Sequence, residues 1–189
     1  MERSIGIGLL GAGTVGGALV SRLIGDADAI AAKTGLTFDV RKVGVRDLTR
    51  ERPFPVTEGL LTDRLTDVID DPTVELVVEL MGGLEPAGDL VLAALDAGKP
   101  VVSANKELIA ARGPELIAAA ERTGVPFLFE AAVGGGIPII RPLSETLAGE
   151  KIDRVLGIVN GTTNFILTRM SEHGASYIDA LSEATELGY

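Results

Sequence analysis

The feature that most constrains this chain is a glycine-rich turn near its N-terminus, which lies between a strand-like run and a helix-like run. Residues 5–10 are apolar or glycine, and residues 14–24 carry apolar side chains at helical spacing. The turn itself contains Gly11, Gly13 and Gly16. In a dinucleotide-binding βα unit the first such glycine permits a tight turn, the second lets the backbone approach a pyrophosphate, and the third lets the helix pack on the strand. The stretch therefore predicts a phosphate-binding turn, with a purely structural loop as the alternative.

Beyond this turn, strand-like and helix-like segments alternate as far as residue 130. Strands are predicted at residues 37–45, 74–80, 100–103 and 125–130, and helices at residues 26–34, 63–69, 85–97, 105–111 and 114–123. Pro53 and Pro55 mark an irregular loop. An alternating order of this kind is typical of a doubly wound parallel sheet with right-handed crossovers. We therefore expect an α/β, Rossmann-type domain that binds NAD(P) over residues 1–129.

The composition changes after residue 130, where a triple glycine is followed by an Ile-Pro step that is typical of a hinge. The pattern then predicts a helix at residues 139–147, a strand at 152–159, a turn into a helix at 160–164 and a helix at 177–187. One strand and a few helices are too few to close a second sheet layer. We therefore expect residues 130–189 to be the beginning of a second, α+β domain. The chain as a whole is then the front part of a longer protein.

The composition argues against several classes of function. The 189 residues carry a net charge of −10, whereas a nucleic-acid-binding protein needs a basic surface. The chain has no cysteine, and its one histidine, His173, stands at a predicted helix end, which excludes most nucleophilic and histidine-metal mechanisms. The sequence shows neither a secretory leader nor an apolar run long enough to cross a membrane. We expect a cytoplasmic protein with a small-molecule substrate and no nucleic-acid or membrane partner.

Charged side chains stand at two of the predicted strand ends. Lys106 follows a buried strand at the carboxyl edge of the sheet, where open α/β folds bind ligands. It can contact an anionic or carbonyl group or transfer a proton, or it can be a solvated lysine at a helix start. Arg46 and Asp47 end the second strand, where an arginine accommodates the 2′-phosphate of NADP and an acidic residue binds the 2′-hydroxyl of NAD. The residues alone do not decide between NADP and NAD. The two side chains could also be solvated charges without a ligand.

Two stretches after the sheet carry groups that suit ligands. Glu130 leads into the triple glycine, and a carboxylate beside free carbonyls can bind a hard cation, although a capping or salt-bridge role suits it as well. Residues 160–164 offer backbone N–H groups and hydroxyls at a helix start, which suits a polar ligand or a simple N-cap. The residues alone do not separate a ligand site from a structural one at either stretch.

Five stretches together resemble homoserine dehydrogenase, in the same order and spacing. They are residues 11–17, 45–47, 102–106, 130–140 and 160–166. The likeness runs over essentially the whole chain, and the last two motifs are much more specific than the glycine turn. The resemblance implies a reversible, NAD(P)-dependent interconversion of L-homoserine and L-aspartate 4-semialdehyde. This reaction lies on the route to threonine, methionine and isoleucine.

The resemblance also implies a cofactor site, residue by residue. The residues that would hold the pyrophosphate are Gly11, Gly13, Thr14, Val15 and Gly16. Arg46 would meet the 2′-phosphate, which favours NADP over NAD. The nicotinamide would be lined by Gly82 and Ser103, with Lys106 as the active-site lysine beside it. Gly188 would touch the cofactor as well.

Substrate and metal positions follow from the same resemblance. The residues that would border the substrate are Asn160, Gly161, Thr162 and Thr163. A sodium ion would be bound by the Glu130 carboxylate and by the main-chain carbonyls of Val133, Gly135 and Ile137. The resemblance thus favours the cation role of Glu130 over a capping role.

The sequence departs from the family pattern at its end. In the family, the helix that corresponds to residues 184–189 leads into an acidic segment and a second lysine, which supply the substrate-binding carboxylates and the main acid/base group. Because these residues are not in this chain, we expect it to bind NADP(H) weakly without turnover, and we expect the full-length enzyme to be a homodimer. Two alternatives remain open. The chain could belong to another two-domain NAD(P) oxidoreductase, similar to dihydrodipicolinate reductase, or to a non-catalytic dinucleotide-binding module.

Overall fold

The computed structural model describes residues 3–158 and 160–188, which divide into two compact units. The first unit is Met1–Ala132 and the second is Val133–Tyr189. The alternating strands and helices belong to the first unit. The second unit contains the segments that follow the triple glycine.

The described residues of the first unit form a six-stranded sheet in which every adjacent pair of strands is parallel. The strands are β1 (Arg3–Leu10), β2 (Leu36–Gly44), β3 (Leu61–Thr62), β4 (Leu76–Glu79), β5 (Val101–Ser103) and β6 (Phe127–Leu128). Their spatial order is β3-β2-β1-β4-β5-β6, so the winding reverses between β1 and β4. The predicted doubly wound α/β fold is therefore confirmed. The short edge strand β3 lies in a stretch without a sequence prediction of a strand, and two residues are too few for a recognisable alternation.

Helices cover both faces of this sheet. They are α1 (Thr14–Gly25), α2 (Ala27–Thr34), α3 (Thr66–Asp70), α4 (Ala87–Asp96) and α5 (Lys106–Thr123). Successive residues of a strand point to opposite faces. Leu9 accordingly packs with Val20 of α1 on one face, whereas Leu10 packs with the buried residues of α3, α4 and α5 on the other. Each face has its own aliphatic core, as a doubly wound sheet requires.

Helix α5 is continuous, although the sequence predicts two helices separated near Pro114. That prediction is wrong. A proline in a helix removes one backbone donor and crowds the residue before it, but here that residue is Gly113, which has no Cβ to clash with the proline ring. The Arg112 guanidinium also donates to the carboxylates of Glu85, Asp89 and Glu115, so it ties this part of α5 both to itself and to the start of α4. The missing Cβ of Gly113 and the ion pairs of Arg112 therefore allow α5 to continue through Pro114.

The described residues of the second unit contain helices and no strand. Helices α6 (Gly161–His173) and α7 (Tyr177–Glu186) pack through Ile166, Ala180 and Ala184. The helix predicted at residues 139–147 is shorter, and it is a π-helical turn at Pro142–Thr146.

The strand predicted at residues 152–159 is absent over residues 152–158, and Val159 lies outside the described residues. The segment is rich in β-branched and other apolar residues, but Leu156 is 83% exposed and Ile158 is 67% exposed. No described residue forms a β-ladder with this segment. A strand exists only where a neighbour accepts and donates its backbone hydrogen bonds, so the apolar residues alone do not produce one.

Candidate functional site

A cavity opens at the point where the strand order reverses. In doubly wound folds this crevice, beyond the carboxyl ends of the strands, is where ligands bind. The cavity has a volume of about 350 Å³ and belongs entirely to the first unit. The residues that line it are Gly11, Ala12, Gly13, Gly44, Val45, Arg46, Asp47, Arg50, Arg52, Leu65, Leu80, Met81, Gly82, Glu85 and Pro86. It therefore lies between the exits of β1, β2 and β4.

The glycine-rich turn has the geometry of a phosphate cradle. Gly11 has a φ angle of +98°, which only glycine adopts without strain, and its N–H donates to the Gly44 carbonyl. A Cβ on Gly16 would overlap with the Gly11 carbonyl oxygen, so the helix approaches the turn as closely as a glycine allows. A Cβ on Gly13, in contrast, would meet nothing within 4 Å, so the outer side of the turn is open to a ligand.

The start of α1 leaves its backbone donors available. Gly13 is the N-cap residue, and no side chain caps the helix there. The first turn of α1 also carries no acidic residue. Uncapped N–H groups and the positive end of the helix dipole favour an anion at this position. This first turn is formed by three of the five residues assigned to the pyrophosphate, Thr14, Val15 and Gly16. The other two, Gly11 and Gly13, line the cavity itself.

Three arginines face the cavity from the segment that follows β2. Arg46 is exposed, and within the part of the chain that the structure describes the Arg46 and Arg50 guanidinium groups have no hydrogen-bond or ion-pair partner. Arg52 is partly buried and bonded: Nη1 donates to the Ala12 carbonyl at 2.6 Å and Nη2 donates to the Asp47 carbonyl at 2.7 Å. Arg52 thus ties the glycine-rich turn to the exit of β2. The other two arginines are available to an anionic ligand.

One oxygen of the Asp47 carboxylate is engaged by its own turn. Its Oδ1 accepts hydrogen bonds from the Thr49 N–H at 2.8 Å and from the Thr49 hydroxyl at 2.7 Å. The Thr49 side-chain bond, followed by the backbone bond, lowers the pKa of the Asp47 carboxyl from its ordinary value. Oδ1 of this cavity-lining residue is therefore bonded within the turn, whereas the Arg46 guanidinium beside it has no partner among the described residues.

The other cofactor-side residues assigned from the sequence lie at the ends of β4 and β5. Gly82 lines the cavity in the turn after β4. Ser103 ends β5 and is completely buried, so it does not line the cavity. Lys106 is the first residue of α5 and is exposed, and the side chain of Asn105 before it caps the helix by accepting from the Leu108 N–H at 3.1 Å. Lys106 is thus presented at the carboxyl edge of the sheet, outside the cavity lining.

The residues assigned to substrate lie in the second unit, as does Gly188. Asn160 is the N-cap of α6, and its Oδ1 accepts from the Thr163 N–H at 2.7 Å. Gly161 and Thr162 complete the first turn of this helix. Gly188 follows α7 with a φ angle of +79°.

The residues assigned to the sodium site are divided between the units. Glu130 starts a 3₁₀ turn, Glu130–Ala132, at the end of the first unit, whereas Val133, Gly135 and Ile137 belong to the second unit. Among the described residues, no group of three or more histidine or acidic side chains is placed to hold a metal ion. A site built mainly from main-chain carbonyls would not form such a group.

The sequence prediction missed three residues of this region. Arg50 and Arg52 lie in a stretch that reads as an irregular loop, and the Arg-x-Arg pair directly before Pro53 is the signal that could have drawn attention to it. Glu79 reads as part of a buried apolar strand. The charged residue at the next-to-last position of the strand predicted at residues 74–80 was the available signal.

Comparison with known proteins identifies the family. A family model described as "Homoserine dehydrogenase, NAD binding domain" matches residues 11–130, and a second, described as "Homoserine dehydrogenase", matches residues 138–189. The chain belongs to the homoserine dehydrogenase family. The cavity and the glycine-rich turn fall within the match to the NAD binding domain, so they lie in the part of the chain that corresponds to this domain of the family.

Individual homoserine dehydrogenases are similar over the full length of the chain. The protein of Mycobacterium tuberculosis is 46% identical, and the match covers 100% of this chain and 42% of that protein. The protein of Bacillus subtilis is 43% identical, with 99% of this chain and 43% of that protein covered. The chain thus spans about two fifths of the length of these relatives.

Solved homoserine dehydrogenases share the fold. The enzyme from Thiobacillus denitrificans has a TM-score of 0.84 at 47% identity, over 99% of this chain and 43% of that chain. A hyperthermophilic archaeal homoserine dehydrogenase in complex with NADPH has a TM-score of 0.72 at 29% identity, over 98% of this chain and 61% of that chain.

Among the residues with described structure, none of the helices is both long enough and apolar enough to cross a membrane.

Proposed function

We propose that this chain supplies the NADP(H)-binding part of an enzyme that interconverts L-homoserine and L-aspartate 4-semialdehyde. The observation that carries the proposal is the cavity at the switch point, which combines an open glycine-rich turn with two arginines that have no partner among the described residues. A cavity of this kind fits a ligand with several phosphates. Membership of the homoserine dehydrogenase family supports the reaction.

NADP fits the cavity better than NAD. The end of β2 is where Rossmann folds recognise the ribose that carries or lacks the 2′-phosphate. Here the Asp47 carboxylate is bonded to Thr49, whereas the Arg46 guanidinium has no partner among the described residues. Arginine binds phosphate through charge-assisted bonds in a planar geometry. We therefore assign Arg46 to the 2′-phosphate and the turn of Gly11 and Gly13 to the pyrophosphate.

Lys106 supplies positive charge where the reaction needs it. When bound, the nicotinamide accepts or delivers the hydride of the reaction. The carbonyl oxygen of the semialdehyde gains negative charge as it becomes the homoserine hydroxyl. An ammonium group held at the carboxyl edge of the sheet, as Lys106 is, stabilises this charge and orients the carbonyl.

The remaining assignments rest on the family resemblance. We propose that Asn160, Gly161, Thr162 and Thr163 contact the substrate, which suits the exposed start of α6, and that Gly188 contacts the cofactor. Glu130 is proposed as a sodium ligand, because sodium, like other hard cations, prefers oxygen ligands. We further propose that the complete enzyme is a cytoplasmic homodimer of threonine, methionine and isoleucine biosynthesis.

Two measurements test the proposed function. The first is titration of this chain with NADPH, followed by the fluorescence of the cofactor, and we expect saturable binding. The second is reduction of NADP⁺ by the protein expressed from its complete coding sequence, with L-homoserine as the substrate. Oxidation of other small substrates but not of homoserine would favour a different oxidoreductase. Saturable binding without oxidation of any of them would favour a non-catalytic binding module.

A further inference from the structure

A carboxylate is buried at the carboxyl edge of the sheet, next to the cavity but outside its lining. Glu79 is the last residue of β4, and it has 0% exposure. None of the salt bridges among the described residues involves it. A buried charge without a cation is costly unless hydrogen bonds replace its hydration. Burial of Glu79 therefore requires hydrogen-bond donors around its carboxylate.

Hydrogen-bond donors surround both oxygens of this carboxylate. Oε1 accepts from the Met81 N–H at 2.8 Å, and more weakly from the Gly82 N–H and from Asn105 Nδ2, both at 3.4 Å. Oε2 accepts from the Ser103 hydroxyl at 2.6 Å. Two of these donors are backbone groups that cannot act as acceptors. Oε1 therefore faces donors only, and the Ser103 hydroxyl is the one partner of the carboxylate that can both donate and accept.

These donors belong to segments that are separate in sequence but that all face the cofactor side. Gly82 lies in the turn after β4 and lines the cavity, and both Gly82 and Gly83 have φ angles above +70°. Ser103 ends β5, and its oxygen also accepts from the Asn105 N–H at 3.1 Å. Asn105 in turn caps α5 and donates to the Gly83 carbonyl at 2.7 Å. Glu79 therefore connects the turn after β4 to the start of the helix that presents Lys106.

The position of this network assigns it to one half of the cofactor. A dinucleotide crosses the crevice with one mononucleotide on each side of the switch point. Arg46 stands at the end of β2, so the adenosine half with its 2′-phosphate lies on that side. The ends of β4 and β5 then face the nicotinamide half. Glu79 and its donors lie on this second side only.

We propose that Glu79 is a positioning residue for the nicotinamide half of the cofactor. It holds the Gly82 turn and the capped start of α5 as one rigid wall, and through Asn105 it fixes the position from which Lys106 extends. The inference rests on the proposed function, because it assumes that the cavity binds NADP(H). The Glu79→Gln change keeps an acceptor at Oε1 but replaces the acceptor at Oε2 with an NH₂ group, so the Ser103 hydroxyl must turn from donor to acceptor and its short bond to Oε2 is lost.

The test separates the two halves of the cofactor. The wild-type chain and the Glu79→Gln variant are titrated with NADPH and with adenosine 2′,5′-bisphosphate, which lacks the nicotinamide half, by isothermal titration calorimetry. We expect the variant to bind NADPH about tenfold more weakly, the size expected for losing a hydrogen bond to a charged group. We expect the affinity for adenosine 2′,5′-bisphosphate to change by less than about twofold, as for substitutions away from a site.

The chain offers a matched control. Glu75 precedes the same strand at its opposite end, is about half exposed, and accepts from the Gly6 N–H. Glu75→Gln makes the same chemical change at the edge of the sheet that faces away from the cavity, so both affinities should stay unchanged. Should Glu79→Gln fail to fold, Ser103→Ala leaves the carboxylate in place and removes the hydroxyl that donates to it and that accepts from the Asn105 N–H. It should show the same selective loss, of about tenfold, because two hydrogen bonds of the network are removed.

Each outcome decides the matter. A selective loss of NADPH affinity supports the proposal. An equal loss for both ligands would mean that Glu79 only holds the fold together, and unchanged affinity for both would mean that the network does not set the cofactor side; either result overturns the proposal. A wild-type chain that binds neither ligand would instead overturn the proposed function itself.

Discussion

Removing the Arg46 guanidinium should weaken the binding of NADPH far more than the binding of NADH. Arg46 follows β2 at the rim of the cavity, and no described residue is paired with its side chain. Its full set of donors is thus available to a ligand. NADPH and NADH differ only in the 2′-phosphate, so the two cofactors isolate the one interaction that Arg46→Ala removes.

The exposure of Arg46 sets the magnitude. A hydrogen bond to a charged partner contributes about 1.5–3 kcal/mol when it is shielded from water. Exposed ion pairs contribute only about 0–1 kcal/mol, because solvent screens them. The rim of a cavity lies between these limits, so we expect a loss of about 1–2 kcal/mol. That corresponds to a rise in the Kd for NADPH of about 5- to 30-fold.

The assay is a pair of fluorescence titrations of wild-type and variant chains with NADPH and with NADH. Arg22→Ala serves as the control, since Arg22 lies in the last turn of α1, about 12 Å along the helix from its first residue. It removes the same charge at a distance greater than the screening length in physiological salt, so it should leave both affinities unchanged. The preference for NADPH in the wild type should also shrink as salt is raised.

An equal loss of affinity for both cofactors in Arg46→Ala would refute the reasoning. It would show that Arg46 acts on the shape of the site and not on the 2′-phosphate. An unchanged preference for NADPH over NADH would mean that another arginine of the cavity binds the 2′-phosphate. Arg50→Ala, at the second arginine without a partner, is then the variant in which the selective loss should be found.

Three further predictions concern the walls of the cavity. Arg52→Ala removes the link between the glycine-rich turn and the exit of β2, so NADPH and NADH should both lose roughly tenfold in affinity; a loss confined to NADPH would make Arg52 a phosphate ligand instead. Gly16→Ala forces a methyl group against the Gly11 carbonyl, and urea denaturation should show a destabilisation of about 1–3 kcal/mol; unchanged stability would mean that α1 can move away at no cost. Thr49→Val removes the hydroxyl bond that contributes most to the lowered pKa of Asp47, so a carbon-13 NMR titration should show that pKa moving back towards its ordinary value of 3.8. Because the folded-state pKa of Asp47 is lowered, its bonds to Thr49 stabilise the fold above pH 3.8. This stabilisation is lost as the pH falls through the lowered pKa. The Thr49→Val variant should therefore lose less stability on acidification than the wild type.

The sheet could be predicted from the sequence because its signals are local. Each buried strand is a short apolar run bounded by a glycine, a proline or a charged residue, and each helix repeats its apolar residues at helical spacing. The glycine-rich turn is equally local, since the requirement for a positive φ angle at Gly11 is visible in the residue type. The order of the elements then determines the parallel winding.

The predictions that were wrong concern elements that depend on distant partners. Helix α5 continues through Pro114 because Arg112 is paired with carboxylates from the preceding helix region as well as its own. The segment 152–158 has the apolar residues of a strand but no described neighbour to pair with. The missing neighbour of residues 152–158 and the pairing of Arg112 with Glu85 and Asp89 cannot be read from a window of ten or fifteen residues, whereas Gly113 directly before Pro114 can.

The candidate site divides in the same way. Arg46 could be selected from the sequence because its position at the end of β2 carries a general meaning in this fold. Arg52 could not, since its role depends on the carbonyl of Ala12, forty positions away. Glu79 is a still harder case, because a carboxylate in an apolar strand suggests an error of register, and its donors come from residues up to 26 positions away.

The two sides of the switch point are built on different physical principles, and this difference has a consequence for how the site binds. On the β2 side, Arg46 and Arg50 are charged groups without partners among the described residues, so the affinity they contribute depends on salt and tolerates some movement. On the β4 side, the buried Glu79 holds its donors through short hydrogen bonds that salt does not reach, and these bonds specify geometry more than affinity. Hydride transfer tolerates little misplacement of the reacting atoms, whereas recognition of a phosphate tolerates more. A rigid wall is therefore needed on the nicotinamide side, and mobile charges are sufficient on the adenosine side. High salt should accordingly weaken the binding of NADPH while leaving the effect of Glu79→Gln on it unchanged.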